Sequence, residues 1–222
     1  MKISNQTLTI LKNFASINEG IVVKKGSALK TTDKKYMVAE ANVEEKFPKD
    51  FAIYDLNQFL SVVSLFEEPD FKFGSTNVVI SEGTCSTTYV YANPEMIVSS
   101  DKKIEVKNPA VSFQLTNKDL QHVLGAAKAM ALPEIVVQGD GEKILLVATD
   151  TKNPSTNVYT VDLETATDKT FQFIFKTEWV KVLPLDYEVN ILAKGIAKFS
   201  HKDVLEYVIC ATDESTYGEK SE

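Results

Sequence analysis

The side chains able to do chemistry are few and scattered along the chain. His122 and His201 are the only histidines, and neither has a Cys, a second His or a carboxylate at metal-ligand spacing, so both read as ordinary surface or packing residues. Cys85 and Cys210 stand far apart with no metal-like pattern around them, and read as small core residues of a reducing compartment. Glu44-Glu45 and Glu67-Glu68 lie near Pro48 and Pro69; adjacent carboxylates do not show the opposed geometry of an acid/base pair and read as solvated loop charge. Trp179, the only tryptophan, reads as a core residue. No segment fits a phosphate loop, a G-x-G-x-x-G turn or a nucleophile elbow. Asn5-Gln6-Thr7 matches a glycosylation sequon, which has meaning only in a secreted chain. The reading is therefore of a non-enzyme, with no catalytic residue, no metal and no cofactor.

The totals agree with an ordinary globular protein. With 222 residues, 44% hydrophobic and 25% charged, the chain can bury a core as one large or two small domains. No apolar run approaches the roughly 20 residues that span a bilayer. The opening MKISNQTLTILKNF lacks the continuous apolar core and cleavage site of a signal peptide, so a cytoplasmic protein with no membrane partner is expected. A net charge of −7 and a pI near 5.0 argue against a broad basic surface for nucleic acid. All 24 basic residues are lysines; the absence of Arg lowers the expectation of base-specific DNA reading, although genome composition explains it equally well.

The elements that position these residues centre on 51–66, FAIYDLNQFLSVVSLF. A short buried strand leads to Asp55, which caps a helix through the spacing to Gln58. Leu56, Phe59, Leu60 and Val63 form its apolar face, while Asn57, Gln58, Ser61 and Ser64 form an uncharged outer face. That neutrality fits a half-buried helix, or a surface that lets something pass without gripping it. Upstream, Ser4 caps a helix with Leu8, Leu11, Phe14 and Ala15 on one side and Asn5, Gln6, Thr9, Lys12 and Asn13 on the other, ended by Gly20. Strands follow with turns at Lys25-Gly26 and Asp33-Lys34, then a loop over 44–50. FKF, NVVIS and CSTTYVYA form a meander beyond the 51–66 stretch, and 93–108 reads as a connector.

The second half repeats this order. Thr116 caps the helix NKDLQHVLGAAKAMA, and strands EIVVQ and KILLVAT flank the turn Gly139-Asp140-Gly141. The run NVYTVDL comes next, and FQFIFKTEWVKVLPLDYEVNIL then aligns with FAIYDLNQFLSVVSLFEEPDFKF, five residues shorter, which predicts a short helix over 177–183. GIAKFS and VLEYVIC close a second meander, and the tail from Asp213 is polar. The duplication predicts two similar α+β domains, 1–108 including the connector and 109–222, each with antiparallel sheet and two helices on one side. Across the four helical segments Lys2, Lys12, Lys118, Lys128, Lys176 and Lys181 stand against Asp55, Asp119 and Glu178, so these segments carry +3 and the remainder −10. Chance produces such a bias as readily as function does.

ISNQTLTILKNFASINEGI, AIYDLNQFLSVVSLF and DLQHVLGAAK, in this order, resemble the sliding clamps of T-even-type bacteriophages, the DNA polymerase processivity factors. The resemblance implies a DNA clamp fold assembled as a homotrimeric ring, with helices lining a hole that admits duplex DNA without sequence preference. It implies three further partners or settings: a replicative DNA polymerase, an ATP-dependent clamp loader, and the cytoplasm of an infected bacterial host. By matching helix positions it gives DNA-facing roles to Lys12, Lys118 and Lys128, then to Lys2, Lys176 and Lys181. Gly125 departs from a family pattern that favours a basic residue there. A partner-peptide pocket near the connector falls on Val43, Ile104, Val106 and Ala211, and ring closure joins 85–91 of one copy to 157–163 of the next. Two other classes compete: a non-catalytic phage structural or adaptor protein with duplicated α+β domains, and a small hydrolase or ligand-binding protein, for which no convergent polar site is evident.

Overall fold

In the computed structural model, which describes residues 1–100 and 104–218, Ser4 has an extended backbone (φ −70°, ψ 155°) and its hydroxyl accepts the N–H of Thr7 at 3.2 Å. That cap opens α1 (Asn5–Ile17), whose Ile10, Leu11, Phe14, Ala15 and Ile17 are buried. Each large apolar side chain so buried contributes roughly 1.5–3 kcal/mol. The helix stops at Ile17, before the expected Gly20, because Asn18 turns extended and donates its side-chain amide to the carbonyls of Thr32 and Val98. Gly20 serves a different purpose: a Cβ there would lie 3.0 Å from the carbonyl oxygens of both Ile53 and Tyr54.

The chain divides into two compact units, Met1–Lys102 and Lys103–Glu222. In the first, α1 is followed by β1 (Ile21–Val23), β2 (Gly26–Thr32), β3 (Met37–Phe47), β4 (Phe51–Ile53), α2 (Leu56–Val63), β5 (Asp70–Phe73), β6 (Asn77–Glu82) and β7 (Cys85–Val90). β1 pairs with β4, β2 with β3, and β5-β6-β7 form a meander, all antiparallel. Met1 exchanges two backbone hydrogen bonds with Phe71 of β5, at 2.9 and 2.8 Å. The 44–47 segment, expected in a loop, is the end of β3. Glu44 and Lys46 point to solvent, while Glu45 turns toward α1 and Phe47 packs edge-on against Phe51 and Phe73 at 5.7 and 5.9 Å. The Glu45 carboxylate accepts the Ser4 N–H and the Thr7 hydroxyl, each at 2.5 Å, so this strand end and the start of α1 fix one another. Burial raises the Glu45 pKa, but these hydrogen bonds outweigh it and hold the group below its ordinary value.

The second unit runs β8 (Val111–Leu115), α3 (Asn117–Ala129), β9 (Glu134–Asp140), β10 (Lys143–Thr149), β11 (Tyr159–Ala166), β12 (Thr170–Lys176), β13 (Tyr187–Ile191), β14 (Ile196–His201), β15 (Leu205–Cys210) and β16 (Thr216–Tyr217). One antiparallel sheet has the order β11-β10-β9-β12-β16, and β15-β14-β13-β8 form another run of antiparallel neighbours. α3 buries Leu120, Val123 and Ala127 and is capped by Thr116, whose Oγ1 accepts the Asp119 N–H at 3.1 Å. The order of helix, strands and second helical position, then a closing meander, thus recurs in both units. No described helix is long and apolar enough to cross a membrane.

The expected helix over 177–183 does not form; Thr177–Trp179 make one 3-10 turn, so the described residues contain three α-helices where four were expected. Lys176 provides no side-chain cap, seven residues are too few to offset helix nucleation, and Pro184 drives Leu183 away from helical geometry. Two buried tyrosines take the place of helical hydrogen bonds. Leu183 N–H donates to Tyr207 Oη at 3.3 Å, and Tyr187 Oη donates to the Leu183 carbonyl at 2.7 Å. Burial pushes both phenols well above their ordinary pKa, so both keep their protons. Tyr187→Phe should therefore cost about 1 kcal/mol, the net value of a neutral hydrogen bond. Thermal unfolding should show a fall of roughly 2–4 °C, and an unchanged Tm would refute the role assigned to this hydroxyl.

Candidate nucleic-acid interface

Burial of one helical face determines what the other face presents. On α1 the exposed positions include Asn5, Thr9, Lys12 and Ser16, and the Thr9 hydroxyl donates to the Asn5 carbonyl at 2.8 Å. The Ser16 hydroxyl donates to the Asn13 carbonyl at 2.6 Å. α2, with Leu56, Phe59, Leu60 and Val63 buried, exposes Asn57, Gln58 and Ser61, followed by Ser64 at its C-cap. Its hydroxyls behave in the same way: Ser61 donates to the Asn57 carbonyl at 2.8 Å and Ser64 to the Ser61 carbonyl at 2.7 Å. Protons that would otherwise grip a ligand are turned back onto the helix.

α3 exposes Lys118, Gln121, His122, Gly125 and Lys128 at helical spacing. Its one acid in the first turn, Asp119, accepts the Thr116 hydroxyl at 2.6 Å and sits at the positive end of the helix dipole. Asp55 is likewise used as a cap, accepting the Gln58 N–H at 2.8 Å. Among the described residues no carboxylate lies within ion-pair distance of Lys12, Lys118 or Lys128, all three exposed. Gly125 is open: a Cβ built there meets nothing within 4 Å.

The other three lysines have different surroundings. Lys2 hydrogen-bonds the Glu68 carbonyl and lies 3.9 Å from the carboxylates of both Glu68 and Asp70. Lys181 is exposed just beyond the 3-10 turn, its N–H donating to the Trp179 carbonyl at 2.9 Å. Lys176 is half-buried and stands opposite Glu134 in the β9–β12 register, with its ammonium 2.5 Å from that carboxylate. Glu134 is fully buried and also accepts the N–H and hydroxyl of Thr151, at 2.8 and 2.6 Å. Burial raises its pKa, and the hydrogen bonds from Lys176 and Thr151 overcome this and hold it below the ordinary value. This anchored pair went unread in the sequence. Its only signal was an acid opening the apolar run EIVVQ and a Lys closing FQFIFK.

Of the pocket residues, Val43 is half-buried on β3 of the first unit. Ile104, exposed, and Val106, half-buried, precede β8 in the second, where Ala211 follows β15 and donates its N–H to the Gly195 carbonyl at 2.7 Å. Cys85 is exposed at the start of β7 and Cys210 half-buried, so neither is the core residue expected. An edge strand leaves Cys85 uncovered, and the last position of β15 leaves Cys210 partly so. Trp179, expected in the core, is half-buried on its short turn. His122 is exposed on α3; His201 Nδ1 lies 2.8 Å from the Asp186 carbonyl oxygen. Among the described residues no three His, Cys, Asp or Glu side chains cluster to hold a metal.

Comparison with known proteins adds an independent line. Residues 3–98 match the DNA polymerase processivity factor family model, and residues 112–213 the model described as gp45 sliding clamp, C terminal. The sliding clamp of Vibrio phage KVP40 is 34% identical over 217 residues, covering 94% of this chain and 98% of its own. The sliding clamp of Enterobacteria phage T4 is 30% identical, covering 98% and 99%. Among solved structures, A. fulgidus PCNA bound to the C-terminal region of FEN-1 superposes with a TM-score of 0.70 at 10% identity, covering 93% of this chain and 95% of that one. At that identity the likeness concerns the fold.

The environment of Lys176 makes a separable prediction. Lys176→Met strands a buried carboxylate and should lower stability by about 3–5 kcal/mol in urea unfolding at pH 7, whereas Lys12→Met should leave it unchanged. Because the Glu134 pKa is depressed on folding, its contribution is complete above its ordinary value of about 4.5 and is lost as pH falls through the folded value. The gap between the wild type and Lys176→Met should therefore narrow in acid. Equal urea midpoints for the two proteins at pH 7 would exclude the anchor.

Proposed function

The chain belongs to the phage sliding clamps, the DNA polymerase processivity factors, and from that membership we propose that three copies close into a ring whose hole is lined by the exposed faces of α1, α2 and α3. As a clamp it encircles duplex DNA without reading its sequence and tethers the replicative polymerase. The observation that best supports this lining is the set Lys12, Lys118 and Lys128: exposed cations with no carboxylate within ion-pair distance among the described residues, on a protein of net charge −7. Phosphate contacts from such side chains are sequence-independent and screened over about 8 Å at physiological salt. Each is individually weak, so the ring moves along the duplex while topology prevents its escape. The neutral α2 face and the self-bonded hydroxyls of Ser61 and Ser64 serve the same end, since directed donors would pin the phosphates.

Lys2 and Lys181 add outlying charge, and Lys176, committed to Glu134, contributes least. The polymerase is captured through a short peptide seated on apolar side chains; Val43 is the candidate contact in the first unit, and Ile104, Val106 and Ala211 are the candidates in the second. The FEN-1 segment on A. fulgidus PCNA is a precedent for such capture within this fold. An ATP-driven loader opens and recloses the ring in the cytoplasm of an infected bacterium. In this role the protein holds an enzyme on its template and catalyses nothing itself.

Polymerase stimulation after loading on circular DNA, compared with open-ended linear DNA, tests the ring directly. Retention should be lost on the linear template, and equal stimulation on both would overturn the proposal. Lys12→Glu combined with Lys128→Glu should abolish stimulation while the oligomer persists in sedimentation. Normal stimulation by that variant would remove these lysines from the lining. Gly125→Lys fits the open position and should steepen the salt dependence of DNA retention by about one counterion per engaged lysine. Ser61→Glu should weaken retention, while Ser61→Ala, which removes only a self-bonded hydroxyl, should leave it unchanged.

A further inference from the structure

We infer that residues 212–218 form a displaceable strap over a strand-addition site on the outer edge of β12, and that this site takes an extended peptide with an acidic residue three positions before an aromatic one. Every contact involved lies within the second unit, so the ring is not a premise. β12 stands between β9 and β16 in its sheet, and β16 is only Thr216–Tyr217. Two residues of strand are a slight cover for a neighbour that runs from Thr170 to Lys176, and an edge so lightly covered is open to pairing with another chain.

The segment follows the edge of β12 residue by residue. Thr212 donates its N–H to the Ile174 carbonyl at 2.7 Å, Gln172 pairs with Thr216, and Gly218 donates its N–H to the Thr170 carbonyl at 2.9 Å. Thr170, Gln172 and Ile174 thus direct their backbone groups outward, while the alternate residues serve the ladder with β9. One rung is irregular. The Ile174 N–H is accepted by the Ser215 hydroxyl at 2.9 Å, where a regular strand would offer a backbone carbonyl. Docking also leaves the Thr212 hydroxyl buried with no hydrogen-bond partner among the described residues, which offsets part of the gain. An incoming strand that sets a carbonyl against Ile174 makes a more regular ladder than the resident segment does.

Beside that edge lies an aromatic shelf. Tyr217 stacks on Phe171 and Phe173 with ring centroids 6.2 and 6.1 Å away and ring planes 26° and 19° apart, and both phenylalanines are buried. The shelf is fixed from β9, because Gly139 lies opposite Phe171 and a Cβ there would fall 2.3 Å from the ring. Tyr217 also donates its hydroxyl to the Ala110 carbonyl, but at 3.4 Å, so stacking holds this ring more than the hydroxyl does. Glu214 meets the Lys152 ammonium at 2.9 Å; both side chains are exposed, so the pair orients the segment more than it binds it. The resident residues thereby specify the ligand: a carboxylate for Lys152 and, three positions on, an aromatic ring for Phe171 and Phe173. These groups are distinct from Val43, Ile104, Val106 and Ala211, assigned above to the polymerase peptide.

Hydrogen exchange in the full chain tests the strap without a mutation. Below the global unfolding transition, the amides of Ile174, Thr212 and Gly218 should exchange as one group, roughly tenfold faster than that of Phe173, which serves the β9 ladder. Exchange of all four only with global unfolding makes the segment a fixed strand and overturns the inference. Ligand chemistry is read by fluorescence polarisation with a labelled peptide copying 211–218, ATDESTYG. Loosening the strap with Ser215→Ala and Tyr217→Ala raises the open fraction, so the double variant should bind this peptide about tenfold more tightly than the wild type. Replacing the tyrosine of the peptide by alanine should abolish the gain. Equal affinities for the wild type and a double variant that keeps its far-UV circular dichroism refute the site, as does binding insensitive to that tyrosine. Capture of labelled wild-type chain without binding of the peptide assigns the edge to a second copy and equally overturns the proposal.

Discussion

Anchoring of each helix by a single apolar face is the constraint from which the remaining features follow. Once α2 has buried Leu56, Phe59, Leu60 and Val63, helical geometry leaves only Asn57, Gln58 and Ser61 to meet whatever lies outside. The phase of that face is set at the N-terminus, where Ser4, Asp55 and Thr116 each accept a backbone N–H of the first turn. At α1 the cap is itself held by Glu45, so helix and strand are locked through two hydrogen bonds to one carboxylate. A rotation of α1 that exposed Phe14 would break that lock as well as the packing.

The same constraint governs charge. Acids close to the helices are drawn into caps, where they satisfy N–H groups and complement the dipole, and so do not neutralise the outward lysines. The rest of the chain carries the acidity that makes the total −7. In the proposed ring a duplex meets a few ammonium groups in an otherwise repelling protein. Arginine would offer phosphate a planar bidentate partner and a longer dwell at each step; lysine offers a point charge. Lys176 shows that residue type alone does not decide the outcome. Placed across a ladder from buried Glu134, the same ammonium becomes part of the fold.

Much of this could be read from the sequence because it is local. Caps at Ser4, Asp55 and Thr116, apolar spacing in α1, α2 and α3, and the repeated order of elements depend on residues within a few positions of each other. What escaped notice depends on pairing across the chain. The end of β3 read as a loop because Glu44-Glu45 near Pro48 looked like solvated charge; the inward role of Glu45 exists only because α1 lies against it. The 177–183 helix was inferred by analogy with α2, and it failed where Pro184 and the missing residues changed the local preference. Of the two tyrosines that hold Leu183, Tyr187 opens the next strand four residues on, but Tyr207 comes from β15, 24 residues away and beyond the reach of any short window.

The failed helix also bears on how a duplicated chain can build a ring. If both units were identical, each would present the same edges, and copies could associate in several equivalent ways. Here the units have diverged: β7, an outer strand in the first, is a plain six-residue strand, while β11, an outer strand in the second, is interrupted by a left-handed residue at Glu164. A contact between unlike edges is directional, and a directional contact either closes or grows into a filament. The interruption limits how much of β11 a further strand could pair with, and so confines any such contact to one short ladder. A ladder of that length is also a small number of weak hydrogen bonds, each worth about 1 kcal/mol net, so a contact made through it alone is readily parted.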